Sequence, residues 1–80
     1  ITLRFYPTKK SKLNIKLFDY SGGLIKEILK EKEFDGGKYS EYEIDISELP
    51  KGLYILRCEF SFGVDKIVKF VKFAKVPEKQ

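Results

Sequence analysis

Asp45-Ile-Ser-Glu-Leu49-Pro-Lys-Gly52-Leu-Tyr54-Ile-Leu-Arg57 reads as one mechanical unit. An alternating strand ends at Asp45-Ile46, the chain crosses over through Leu49 and a Pro50-Lys51-Gly52 turn, and a new strand starts at Leu53-Tyr54. Nothing in the unit is catalytic. It specifies a corner of a β-sandwich, and its parts have separate tasks. Gly52 supplies a turn conformation that a Cβ disfavours, Leu49 plugs the end of the sandwich, and Tyr54 buries its ring while its hydroxyl bonds the corner.

Outward from this corner the chain keeps the period of two that marks strands. Ile1, Leu3 and Phe5 share one face before a polar loop from Pro7 to Ser11. Leu13, Ile15 and Leu17 then alternate with Asn14 and Lys16, and Tyr20-Ser21-Gly22-Gly23 turns the chain, since Gly takes positive φ at no steric cost. Residues Leu24 to Phe34 are ambiguous, because Leu24, Ile25, Ile28 and Leu29 sit at helical spacing. The segment is short for a helix, lacks a Ser, Thr or Asp cap and lies between strands, so it is assigned as a strand bulged near Glu27.

After the Asp35-Gly36-Gly37 turn, the stretch Tyr39 to Ile46 puts Tyr42, Ile44 and Ile46 on one face. The mostly apolar run Leu53 to Phe60 is expected to be a central strand buried on both sides. Val64 to Phe73 is expected to be the last strand, at a sheet edge, with frequent lysines that discourage pairing with other chains. Phe18, Tyr20, Tyr39, Phe62 and Phe73 are not assigned to the core. Six short strands separated by Gly-bearing turns give an all-β fold, a small antiparallel β-sandwich. Residues 1–76 are expected to form a single domain and 77–80 a frayed tail.

A chain of 80 residues buries only about 60% of the surface it exposes when unfolded, so stability is narrow. Apolar residues make up 42% and aromatics 15%, without Trp or Met, which leaves Phe and Tyr to supply the large buried areas. Charged residues reach 35%, but they alternate with apolar ones along strand-length runs, which favours order. Lys far outnumbers Arg and is matched largely by Glu, a balance that fits the ion-pair surfaces of thermophile proteins. The net charge of +4 permits anionic partners, yet acidic residues are interspersed throughout, as on an ordinary solvated face.

Catalytic and metal chemistry lack their parts. The chain has no His and a single Cys, Cys58, which removes nucleophile–base pairs and the common transition-metal sites. Asp19, Asp35, Asp45 and Asp65 fall at strand ends and turns, where a carboxylate bonds local backbone amides. Neither Gly-Gly turn continues as a phosphate loop, and no calcium loop, RNA-binding aromatic motif or basic helix is present. No enzyme activity, cofactor, metal or nucleic-acid partner is expected. No run is apolar enough to cross a bilayer as a helix, and there is no signal-peptide pattern. The chain opens at Ile1, without Met and in mid-strand, which leaves a processed chain or one domain of a longer polypeptide, and the mid-strand start favours the second as the expectation.

Leu13-Asn-Ile-Lys-Leu-Phe-Asp19, Gly22, Gly37, the Asp45–Arg57 unit and Lys66-Ile-Val-Lys69 stand in one order and at nearly the spacing of a known family. The chain resembles the C-terminal sorting domain of the bacterial type IX (Por) secretion system and the similar immunoglobulin-like domain of flagellar hook-capping proteins. The resemblance runs from Ile1 to about Lys72. It implies an immunoglobulin-like sandwich of six or seven strands in which Asp19, Gly22, Asp45, Leu49, Gly52 and Tyr54 define the fold. It also implies a non-catalytic C-terminal module of a larger secreted or cell-surface protein, read by export and attachment machinery. Lys66, Lys69 and Lys72 on the last strand are the candidate partner-binding residues, because an exposed basic edge offers both backbone and charge. Two alternatives remain open. One is an accessory module that stacks polysaccharide on exposed rings, and the other a passive stabilising or assembly domain of an extracellular hydrolase.

Overall fold

The computed structural model describes residues 1–76, so the expected tail at 77–80 lies outside the described residues. Six strands follow one another: β1 (Thr2–Phe5), β2 (Ser11–Asp19), β3 (Leu24–Phe34), β4 (Ser40–Glu43), β5 (Gly52–Phe62) and β6 (Asp65–Lys75). They form two antiparallel sheets, one of two strands in the order β1-β4 and one of four in the order β3-β2-β5-β6. The architecture is that of a small immunoglobulin-like sandwich with an abbreviated second layer.

The core is built from the inward faces of the two central strands. Leu13, Ile15 and Leu17 of β2 and Tyr54, Leu56 and Cys58 of β5 are buried, joined by Ile44 beyond the end of β4. Phe5 links the layers. Its ring meets Phe34 of β3 edge-on at 4.9 Å and Phe60 of β5 at 5.2 Å, geometry that each aromatic pair favours over face-to-face stacking.

Leu24–Phe34 is a strand along its whole length, and the helix-like spacing has a physical cause. Pairing with β2 slips three times: Leu13 and Ile15 oppose Lys32 and Leu29, Ile15 and Lys16 oppose Leu29 and Glu27, and Leu17 and Phe18 oppose Lys26 and Leu24. Each slip leaves one extra residue on β3. A bulge breaks the alternation, so neighbours Ile28 and Leu29 both pack against the core and imitate a helical face. At the bulge near Lys30, Glu31 takes φ of 50°, and its N–H donates to Asn14 Oδ1 at 2.9 Å.

Three expectations need correction. The run Leu53 to Phe60 is central, but only one face is in the core: Ile55, Arg57 and Glu59 remain half-exposed, because the two-stranded sheet covers one side alone. The strand expected to reach Ile46 ends at Glu43. Beyond it, backbone bonds with Ile1 carry the chain onward, the Ile44 N–H donating to the Ile1 carbonyl at 2.7 Å and the Ile1 nitrogen to the Ile44 carbonyl at 2.9 Å. The last strand starts one residue later than expected and runs on to Lys75. Phe73, unassigned from sequence, is a core neighbour that stacks on Tyr54 at 5.5 Å.

Candidate partner-binding surface

The crossover after Ile46 is held by local bonds. Asp45 Oδ1 accepts from the Ser47 N–H at 2.9 Å, the Leu49 N–H donates to the Ile46 carbonyl at 3.1 Å, and Leu49 packs half-buried against the core. The Tyr54 ring is buried, and its hydroxyl donates to the Pro50 carbonyl at 2.5 Å, closing the turn that leads into β5. Gly52 opens the strand with φ of 157°, and a Cβ there would lie in ordinary contact, 3.7 Å from the Tyr54 hydroxyl. The backbone angle, not the space, favours Gly.

Asp19 organises the β2–β3 turn in a similar way. Its Oδ1 accepts from the Gly23 N–H and the Ser21 hydroxyl, each at 2.8 Å, while Gly22 turns with φ of 98°. The Gly23 amide, and next the Ser21 hydroxyl, hold the Asp19 carboxyl below the usual range. For Asp45 the Ser47 amide is the largest cause of the same downward shift.

These turns fix β5, and β5 fixes β6. The final strand pairs only with β5, in unbroken register from Gly52↔Lys75 to Phe62↔Asp65, so its other edge is open among the described residues. The sequence groups Lys66, Lys69 and Lys72 as one basic surface, whereas the register divides them. Lys69 opposes Cys58 and shares the inward side with Val71 and Phe73, while Lys66 and Lys72 point outward with Val68 and Phe70. Spacing of three on an element of period two guarantees this split. On the outward side Glu59 pairs with Arg57 at 3.1 Å and lies 3.8 Å from the Lys66 amine.

Other contacts of this region had little or no signal in the sequence. Lys75 Nζ donates to the Ile46 carbonyl at 2.6 Å, pinning the end of β6 to the crossover. Gly36 packs so tightly on the β1–β2 loop that a Cβ would lie 2.5 Å from Lys9 backbone atoms. Beside it the Gly37 N–H donates to the Pro7 carbonyl and the Tyr6 hydroxyl to the Gly37 carbonyl. The exposed rings do not form one platform: Tyr20 sits in the β2–β3 turn, Tyr6 and Tyr39 flank the β1–β4 pair at the other end of β2, and Phe70 lies on the outward side of β6. Among the described residues no cluster of three potential metal ligands occurs, and no helix is long and apolar enough to span a membrane.

The family model described as the secretion system C-terminal sorting domain matches residues 1–72. The chain belongs to this family. It is a sorting domain of type IX secretion, a family that marks proteins as secreted or attached to the cell surface. No match was found among curated proteins or among solved structures. Within the sorting domain, the matched residues include the whole corner from Asp45 to Arg57 and reach β6 as far as Lys72.

Proposed function

We propose that this sorting domain is the non-catalytic C-terminal module of a larger exported protein, and that export and attachment machinery reads its last strand. The observation that carries the reading is the open edge of β6, an 11-residue strand whose alternate residues turn unpaired backbone outward, with Lys66, Lys69 and Lys72 beside it. An open edge accepts a partner strand through main-chain bonds, and flanking lysines select an acidic partner and resist pairing with a second copy. The corner residues serve this surface at a distance, by fixing the twist and register of β5 against which β6 is laid.

Fusing residues 1 to 80 to a periplasmically delivered reporter tests the proposal in a host with the type IX apparatus. Reporter in the medium or on the surface supports it, and reporter retained in the periplasm refutes it. Reversing the three lysines to Glu in the same fusion examines their part: the proposal predicts loss of export with the fold retained. The polysaccharide alternative needs several rings on one face, and retention on insoluble glycans tests it. The passive assembly alternative predicts that removing the domain lowers the parent's heat stability while leaving export intact.

A further inference from the structure

The abbreviated second layer leaves a cleft of about 430 Å³ between β1 and β6. Its floor is apolar, from Phe60 and Cys58 of β5 and Ile67 and Val71 of β6. Ile67 remains 45% exposed although it faces inward opposite Phe60. Consecutive residues of β1 line the opposite wall, Leu3 and Arg4 alike, as expected where a strand presents its edge and not a face. β1 pairs only with β4, so the backbone along that edge has no partner strand among the described residues.

A further observation points to an occupant. The rim is cationic: Lys9, Arg4 and Lys69 line the cleft, and no carboxylate does among the described residues. Arg4 is already paired with Glu41 at 2.9 Å, which leaves Lys9 and Lys69 to attract negative charge.

We propose that the β1–β6 cleft is a docking groove for an extended peptide with alternating apolar and acidic side chains, added as a strand to the free edge of β1. The peptide backbone satisfies the β1 edge, its apolar side chains cover the β5–β6 floor, and the positive charge of Lys9 and Lys69 at the cleft attracts its carboxylates. The groove is separate from the outward side of β6 with Lys66 and Lys72, and the proposal stands whether or not the domain directs export.

The test titrates the isotope-labelled 80-residue chain with a seven-residue peptide of alternating Val and Glu, capped at both ends, following amide resonances and hydrogen exchange. The expected result is saturable shifts at residues 2–9 and 67–71 and new exchange protection along β1. The proposal further expects at least tenfold weaker binding for the Val–Lys peptide, for Lys69→Glu, and for Lys9→Glu should Lys69→Glu fail to fold. Absence of saturable shifts, equal binding of the Val–Lys peptide, or shifts confined to the outward side of β6 overturns it. Shifts of the groove residues by dodecanoate with none from the peptide overturn it as well, by assigning the cleft to an acyl chain.

Discussion

Lys75 Nζ donates to the Ile46 carbonyl across 2.6 Å, so the last strand of the large sheet is tied to the crossover that leaves the small one. The bond spans 29 residues of sequence and is partly shielded from water. With Tyr54–Phe73 stacking it fastens the end of β6 against the corner. Replacing Lys75 with Met keeps most of the apolar stem and removes the donor. The expected cost is about 1 kcal/mol, read as a fall in melting temperature of roughly 4–8 °C.

Tyr54 separates ring from hydroxyl. Tyr54→Phe leaves the Pro50 carbonyl, on an exposed residue, to find water, and should cost about 1 kcal/mol. Tyr54→Ala also removes a buried ring and the Phe73 stack, a loss on the order of 3–5 kcal/mol. In a domain this small that consumes much of the total stability, so chemical denaturation should show a chain substantially unfolded at 37 °C.

Gly36 and Gly23 form a matched pair for close approach. A methyl at Gly36 meets Lys9 backbone at 2.5 Å, where nothing nearby can yield cheaply, whereas one at Gly23 meets only the Asp19 carboxylate oxygen at 3.0 Å. Gly36→Ala is therefore predicted to lower stability by about 1–3 kcal/mol and Gly23→Ala by clearly less. Denaturant midpoints of the two variants check the order.

The turn carboxylates set an acid limit. Asp19 and Asp45 have folded pKa values depressed by amide donors, Gly23 and Ser47 being the largest causes. A depressed carboxylate gives its full stabilisation above the unfolded value of about 3.9, and the contribution disappears as pH falls through the folded value. Melting temperature should hold between about pH 7 and pH 5 and decline below about pH 4. Asp19→Asn and Asp45→Asn should flatten that decline, and unchanged pH profiles would refute the assignment.

Cys58 reports on opening of the core. It is 3% exposed, and burial pushes its thiol pKa up, both of which suppress the reactive thiolate. Labelling by a neutral thiol reagent should be slow in the folded chain and reach the free-thiol rate in denaturant. Rapid labelling without denaturant would mean that the β5–β6 layer opens locally.

The corner was legible because its parts are chemically distinctive: Pro50, Gly52 and Tyr54 each have few roles at such spacing. β3 was legible only in part, since three bulges scramble the alternation and make Ile28 and Leu29 look helical. A lysine every three residues on β6 looks like one patch in sequence, and only pairing with β5 shows Lys69 facing away from Lys66 and Lys72. Gly36 and Lys75 act through contacts 27 and 29 residues away, 36 − 9 and 75 − 46, and no local pattern encodes those partners. The abbreviated layer was invisible for the same reason, because strand count does not say how strands divide between sheets.

Export by the domain is read from the accessibility of a fused reporter to external protease on intact cells of a type IX host. Melting of the purified fusion first establishes that residues 1 to 80 are folded. A working sorting domain leaves the reporter digested or released outside the cell, and retained when the apparatus is deleted. A folded domain whose reporter stays protease-protected in the periplasm of the intact host contradicts the export role.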